Sequence, residues 1–162
     1  MLLSEHLLTF KYKSYFFHSI DYISRFLANK YNLAGRTNLE RAQADEIVDA
    51  INDLFNGGVP AMFEKDEAEK KKKMAAFVEK TTETFGRLER RLDERGGQFF
   101  AGNALSWADL QLFFYVEFFN SMILRGESDC TAKFPLLRSL NLRVGNQPNI
   151  RQWVINRPQN QI

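Results

Sequence analysis

The sequence has little of what most catalytic sites are built from. It holds one cysteine, Cys130, so no disulfide can form within the chain and a reducing compartment is the default. It holds two histidines, His6 and His18, so no Cys/His metal spacing exists. A Ser-His-Asp or Cys-His site would have to draw on the first 18 residues. A surplus of one charge is also lacking. Lys+Arg total 22 against Asp+Glu 20, a net charge of +2, which argues for neither nucleic acid nor an anionic membrane as partner. The longest apolar stretch, Leu110 to Leu124, is interrupted by Gln111, Glu117, Asn120 and Ser121 and falls short of the roughly 20 residues of a membrane span. The opening "MLLSEHLLTFKYKSYFF" does not read as a signal peptide, because Glu5, His6, Lys11 and Lys13 break it and no small-x-small cleavage site is evident. A cytoplasmic protein is expected, with no nucleic acid and no membrane span among its interactions.

Aromatic rings, by contrast, are abundant. Fifteen phenylalanines point to a core of large rings or an apolar cavity lined by them. From Ile23 onward nearly every segment has a helical period. Ile23, Phe26, Leu27 and Tyr31 give one face, closed by Asn32 and Gly35. Thr37 to Glu40 form a capping box for a helix carrying Ile47, Val48, Ile51, Leu54 and Phe55. Gly57-Gly58 is expected to end it, with Pro60 opening a short turn or helix through Phe63. A long helix is expected from about Asp66 to Leu92, with Phe77, Thr81, Phe85, Leu88 and Leu92 inward and "KDEAEKKKK" as a solvated start. Gly96-Gly97 stops it. The apolar segment beginning at Ser106 reads as the central helix of a bundle. Two shorter helices follow, one opened by Pro135 and one carrying Ile150, Trp153 and Val154 before Pro158. The expected fold class is all-α.

Three local patterns are candidates for function. Ser106 and Asp109 form a second capping box, a folding element at the head of the most apolar helix. Asp45, Asp49, Asn52 and Asp53 form an acidic stripe opposite the apolar face of their helix. That stripe is either a solvated face or a surface for a cation, a basic partner or a ligand ammonium group. Asp49, Asn52 and Asp53 are weak candidates for a divalent ion, since Asn52 offers only a neutral oxygen. Phe55, Val59, Met62 and Phe63 form an aromatic cluster that is either core or a pocket wall.

The segments "SRFLANKYNLAGRT", "ADEIVDAINDLF", "GNALSWADLQLFF" and "NIRQWVINRP" occur in an order and at a spacing that resemble the C-terminal domain of cytosolic glutathione S-transferases. The similarity is greatest to the sigma class, which includes the glutathione-dependent prostaglandin D synthases. It covers about Ile23 to Pro158. The resemblance implies a helical bundle of the transferase C-terminal type and a family that conjugates glutathione, its co-substrate, to small hydrophobic electrophiles or isomerises prostaglandin H. It implies a dimer in which Asp53 reaches the glutathione amino group of the partner subunit. It implies a hydrophobic-substrate wall at Phe55, and the aromatic cluster read above would extend that wall to Met62 and Phe63.

The resemblance also sets an expectation about what precedes Ile23. Family members carry a thioredoxin-like domain there, with a catalytic Tyr and a cis-proline segment. Only 22 residues precede Ile23 here, and Ser19 is the one candidate remnant of the Gln-Ser pair that holds the glutamyl carboxylate. The expected organisation is an atypical segment 1–22 in place of the thioredoxin-like domain, a helical domain 23–158 and a tail 159–162. No catalytic residue is assigned, and little conjugation by the chain alone is expected. The alternative is a non-catalytic ligand-binding or dimerisation module that pairs, as a homo- or heterodimer, with a full-length subunit.

Overall fold

The computed structural model describes residues 10–12, 15–17, 20–124 and 129–158. Two short strands, β1 (Phe10–Tyr12) and β2 (Tyr15–Phe17), pair antiparallel with Phe10 opposite Phe17 and Tyr12 opposite Tyr15. The Phe- and Tyr-rich segment ahead of Ile23 suits a pleated surface, although no strand was read there from the sequence. His18 and Ser19 lie outside the described residues.

Helix α1 spans Ile20–Lys30, so a domain boundary between Tyr22 and Ile23 would fall inside it. Past its end, Asn32 takes φ of 58° and Gly35 takes φ of 107°. A Cβ on Gly35 would lie 2.9 Å from backbone atoms of Glu40 and Arg41, so only glycine fits this turn.

Helix α2 spans Asn38–Met62 and is opened by the expected capping box, with the Glu40 N–H donating to Thr37 Oγ1 at 3.1 Å. The expected break at Gly57-Gly58 does not occur. The helix runs through both glycines and Pro60 to Met62. The reason lies across the interface. Gly58 is where the ring of Phe77 presses on the α2 backbone, and burial of that contact outweighs the glycine's low helix propensity. Pro60 sits in the last turn, where one missing N–H disturbs little of the helix.

Helix α3 spans Glu67–Glu94, with Asp66 accepting from the Glu69 N–H at 2.9 Å. It ends where expected. Gly96 and Gly97 both have positive φ, and the Gly97 N–H reaches back to the Leu92 carbonyl at 2.8 Å. Helix α4 spans Trp107–Phe118 and continues as a π-helix over Phe119–Ile123. Helices α5 (Pro135–Gly145) and α6 (Pro148–Asn156) complete the bundle. Glu89 on α3 caps α5 from outside, its two carboxylate oxygens accepting the N–H groups of Leu136 at 2.8 Å and Leu137 at 2.9 Å.

The core lies between α2, α3, α4 and α5. It is a core of rings, as the phenylalanine count suggests. Phe85 meets Tyr115 and Phe134 edge-on at 6.0 and 5.8 Å, and Phe119 meets Phe77 at 5.4 Å. The Tyr115 hydroxyl, deep in this cluster, pairs with Thr81 Oγ1 at 3.2 Å. Beyond the strand pair, the described residues bear out the all-α expectation. No helix among them is long and apolar enough to cross a membrane.

Candidate functional site

The acidic stripe of α2 is not one surface. Asp45 is held by Arg25 of α1 at 3.2 Å, and the guanidinium of Arg25 also lies 5.4 Å from the Trp107 ring. Asp49 and Asp53 face solvent, with no ion pair among the described residues. Asn52 turns into the protein. Its Nδ2 donates to Asp21 Oδ1 of α1 at 3.0 Å, and its Oδ1 accepts from Gln111 Nε2 of α4 at 2.9 Å. The one oxygen that Asn52 could offer a cation is already engaged. Among the described residues, no group of three or more His, Cys, Asp or Glu is placed to hold a metal ion.

This relay ties three helices together through one amide, which is why an amide suits position 52. A carboxylate there could accept from Gln111 but could not donate to Asp21, and two half-buried carboxylates would face each other. Asn52→Asp is expected to cost about 1–2 kcal/mol at neutral pH. The exchanged pair Asp21→Asn with Asn52→Asp restores a donor opposite an acceptor and is expected to recover most of that loss. Urea denaturation of the two single variants and the double variant measures it. Strict additivity would rule out the coupling.

Asp53 lies on the rim of a cleft of about 260 Å³ between α2 and α3. Leu54, Gly57, Pro60 and Ala61 line it from α2; Ala76 and Phe77 line it from α3. Lys73 and Lys80 stand on the other rim. Phe55 is half-buried against the Phe118 ring, 5.1 Å away, so it forms part of an apolar wall at the core's edge. Met62 is half-buried as well. Phe63 stands in solvent, 78% exposed.

Ser106 and Asp109 are fully internal. Asp109 Oδ2 accepts from both the N–H and the hydroxyl of Ser106 at 2.7 Å, and Oδ1 accepts from the Phe100 N–H at 2.9 Å. Burial pushes the Asp109 carboxyl above its ordinary pKa, against the pull of these hydrogen bonds. Every polar contact of the pair is spent on the chain itself, which fits a folding element. Cys130 is likewise unsuited to nucleophilic work. Burial, with Asp129 beside it, pushes its thiol up to about 12.

Sequence reasoning missed the inward turn of Asn52 and the cleft beside Asp53. The partners of Asn52 are 31 and 59 residues away, so no local pattern reports them. The cleft has no clear signal either, since Gly57 and Ala76 are two among several small residues on α2 and α3.

The family profile described as "Glutathione S-transferase, C-terminal domain" matches residues 52–157. Glutathione S-transferase 3 of Gallus gallus is 35% identical over 134 residues, 82% of this chain and 56% of its own length. Hematopoietic prostaglandin D synthase of Gallus gallus is 34% identical over 142 residues, 86% of this chain and 67% of its own. Among solved structures, prostaglandin synthase D of Nilaparvata lugens superposes with a TM-score of 0.83 at 27% identity, over 94% of this chain and 74% of its own. A monomeric glutathione S-transferase of Necator americanus shares the fold with the same score at 22% identity, over 95% of this chain and 75% of its own. The chain spans a little over half the length of the first curated relatives it matches. The unmatched 5–6% is fewer residues than the 22 ahead of Ile23, so both superpositions reach into that segment. The chain belongs to the glutathione S-transferase family, whose C-terminal helical domain it carries.

Proposed function

We propose that this chain forms the helical, second-substrate side of a sigma-like glutathione transferase site and lends Asp53 to a glutathione bound by a partner subunit. The observation that carries this reading is the state of Asp53. It is exposed, free of any ion pair among the described residues, and placed on the rim of an apolar cleft. A carboxylate so placed suits the ammonium group of the glutamyl end of glutathione. Phe55, at the core's edge beside Phe118, offers the matching apolar wall for a small hydrophobic electrophile. The group that would hold glutathione as a thiolate is assigned to no residue of this chain, and little conjugation by the chain alone is expected. A cytoplasmic location goes with this reading, since glutathione chemistry needs reduced thiol. The strand pair and α1 are proposed to be a part shared with the transferases, lying ahead of the helical domain, rather than a foreign addition.

The alternative, a non-catalytic module, keeps the same surface and differs only in whether glutathione is turned over in the pair. A heterodimer with a full-length sigma-class subunit distinguishes them. Asp53→Asn in this chain is expected to raise the full-length subunit's KM for glutathione about three- to tenfold, with kcat nearly unchanged, as the loss of one exposed charged contact predicts. An unchanged KM would remove Asp53 from the site.

A further inference from the structure

The turn between α1 and α2 carries two arginines without an acidic partner among the described residues, Arg36 and Arg41. Asn32 and Gly35, both at positive φ, reverse the chain after α1, and the capping box of Thr37 and Glu40 then starts α2. Arg36 precedes that box and Arg41 follows it. Both line one cavity of about 410 Å³, which Ala101, Ala104 and Leu105 of the loop ahead of α4 complete. The Arg36 side chain makes no hydrogen bond or ion pair among the described residues. Arg41 spends its Nε on the Gly35 carbonyl at 3.3 Å, which leaves the two terminal nitrogens of its fork.

Glu40 is the one carboxylate lining this cavity among the described residues, and it is tied down. Its Oε2 accepts from the N–H groups of Arg36 at 2.5 Å and Thr37 at 3.2 Å. Its Oε1 lies 2.5 Å from where a Cβ on Gly102 would stand, so the side chain is wedged between the capping box and the loop. It cannot swing out to pair with either guanidinium without giving up the cap. Asn32 and Asn103 also line the cavity, and neither amide has a hydrogen-bond partner among the described residues.

Two guanidinium forks ask for more acceptor oxygens than one carboxylate offers. A tetrahedral dianion with three terminal oxygens serves both. The volume falls within the range of small-molecule sites, so it has room for more than the anion. We propose that this cavity binds a small phosphomonoester, its phosphate between Arg36 and Arg41 and its organic part against Ala104 and Leu105. The site is separate from the glutathione reading above. Asp53 lies about 18 Å farther along α2 than Arg41, and no residue is shared.

Isothermal titration of the full chain with phenyl phosphate, in a buffer free of phosphate and sulfate, tests it. One saturable site per chain is expected. Arg36→Gln and Arg41→Gln are each expected to raise Kd at least about tenfold, through loss of one charge-assisted fork. Arg90→Gln removes the same charge from an exposed position on α3 and is expected to leave Kd unchanged. Arg36 has no side-chain contact to lose, so its variant should melt with the wild type. Inorganic phosphate and benzoate, titrated alongside, are expected to bind more weakly than the ester. Absence of a saturable site overturns the proposal, and so does unchanged affinity in either Arg36→Gln or Arg41→Gln. An equal loss in Arg90→Gln overturns it as well, since general charge attraction would then suffice. Inorganic phosphate bound as tightly as phenyl phosphate would overturn the assignment to an ester. Benzoate bound as tightly would overturn the assignment to phosphate.

Discussion

Asp109→Ala is expected to lower the stability of the chain by about 3–4 kcal/mol, measured by urea denaturation at neutral pH. The side chain is wholly buried and accepts three hydrogen bonds at 2.7 to 2.9 Å. Truncation leaves the Phe100 and Ser106 N–H groups without acceptors in the protein interior, each at a desolvation cost of about 1–3 kcal/mol. It also removes the cap of the most buried helix, α4, and so loosens the turn that brings Phe100 to the core. Asp109→Asn is expected to fall between wild type and alanine. Its amide oxygen can serve Phe100, but its NH₂ would face the Ser106 N–H. The two variants also separate a pH effect. Burial raises the folded-state pKa of Asp109 above its unfolded value. The stability this group adds is therefore greatest below the unfolded pKa and declines as pH rises through the window above it. Asp109→Asn should lack that slope. If alanine costs less than about 1 kcal/mol, the pair is not the folding element described here.

Two adjacent glycines should respond with opposite signs. Gly58→Ala places a Cβ 2.3 to 2.7 Å from three carbons of the Phe77 ring. That ring is itself buried and packed edge-on against Phe119, so it has nowhere to go. Overpacking of this kind costs about 1–3 kcal/mol, and here it must exceed the helix propensity gained on leaving glycine, about 1 kcal/mol. A net loss of about 2 kcal/mol is expected, and more for Gly58→Val. Gly57→Ala, one residue away, meets nothing within 4 Å and should stabilise by up to about 1 kcal/mol. Thermal melts of the two alanine variants read the difference directly. Equal shifts of the same sign would mean that α2 and α3 do not approach through Gly58.

Those glycines mark the limit of what the sequence alone conveys. Both capping boxes were legible because their partners lie three residues apart, within the reach of a local pattern. The ends of α1 and α3 were legible for the same reason, since Asn32, Gly35, Gly96 and Gly97 take the left-handed backbone their positions suggest. The break expected at Gly57-Gly58 was a local inference about a position governed by Phe77, about twenty residues away. Packing across the α2–α3 interface overrode propensity there. Asn52 failed in the same way. On a helical wheel it belongs to an acidic face, yet Asp21 and Gln111 turn it inward, and nothing near it in sequence announces either partner. The strand pair was missed because alternation over three residues is too short to distinguish from an aromatic loop.

Of the candidate site, the residue types were legible and their grouping was not. Asp49, Asn52 and Asp53 read as one stripe, but only Asp53 combines exposure with an apolar cleft. Phe55, Met62 and Phe63 read as one wall, but Phe55 leans on Phe118 while Phe63 stands in solvent. Helical periodicity places side chains around an axis. It does not say which of them a neighbouring helix will claim.

The central claim is that this chain supplies the substrate-holding side of a transferase site and leaves activation of the glutathione thiol to a partner. Turnover of glutathione with a chloronitroarene by the purified chain tests it most directly, with retention on immobilised glutathione read from the same preparation. The account predicts a rate at the uncatalysed background and no retention. Clear retention with turnover by the chain alone would contradict it.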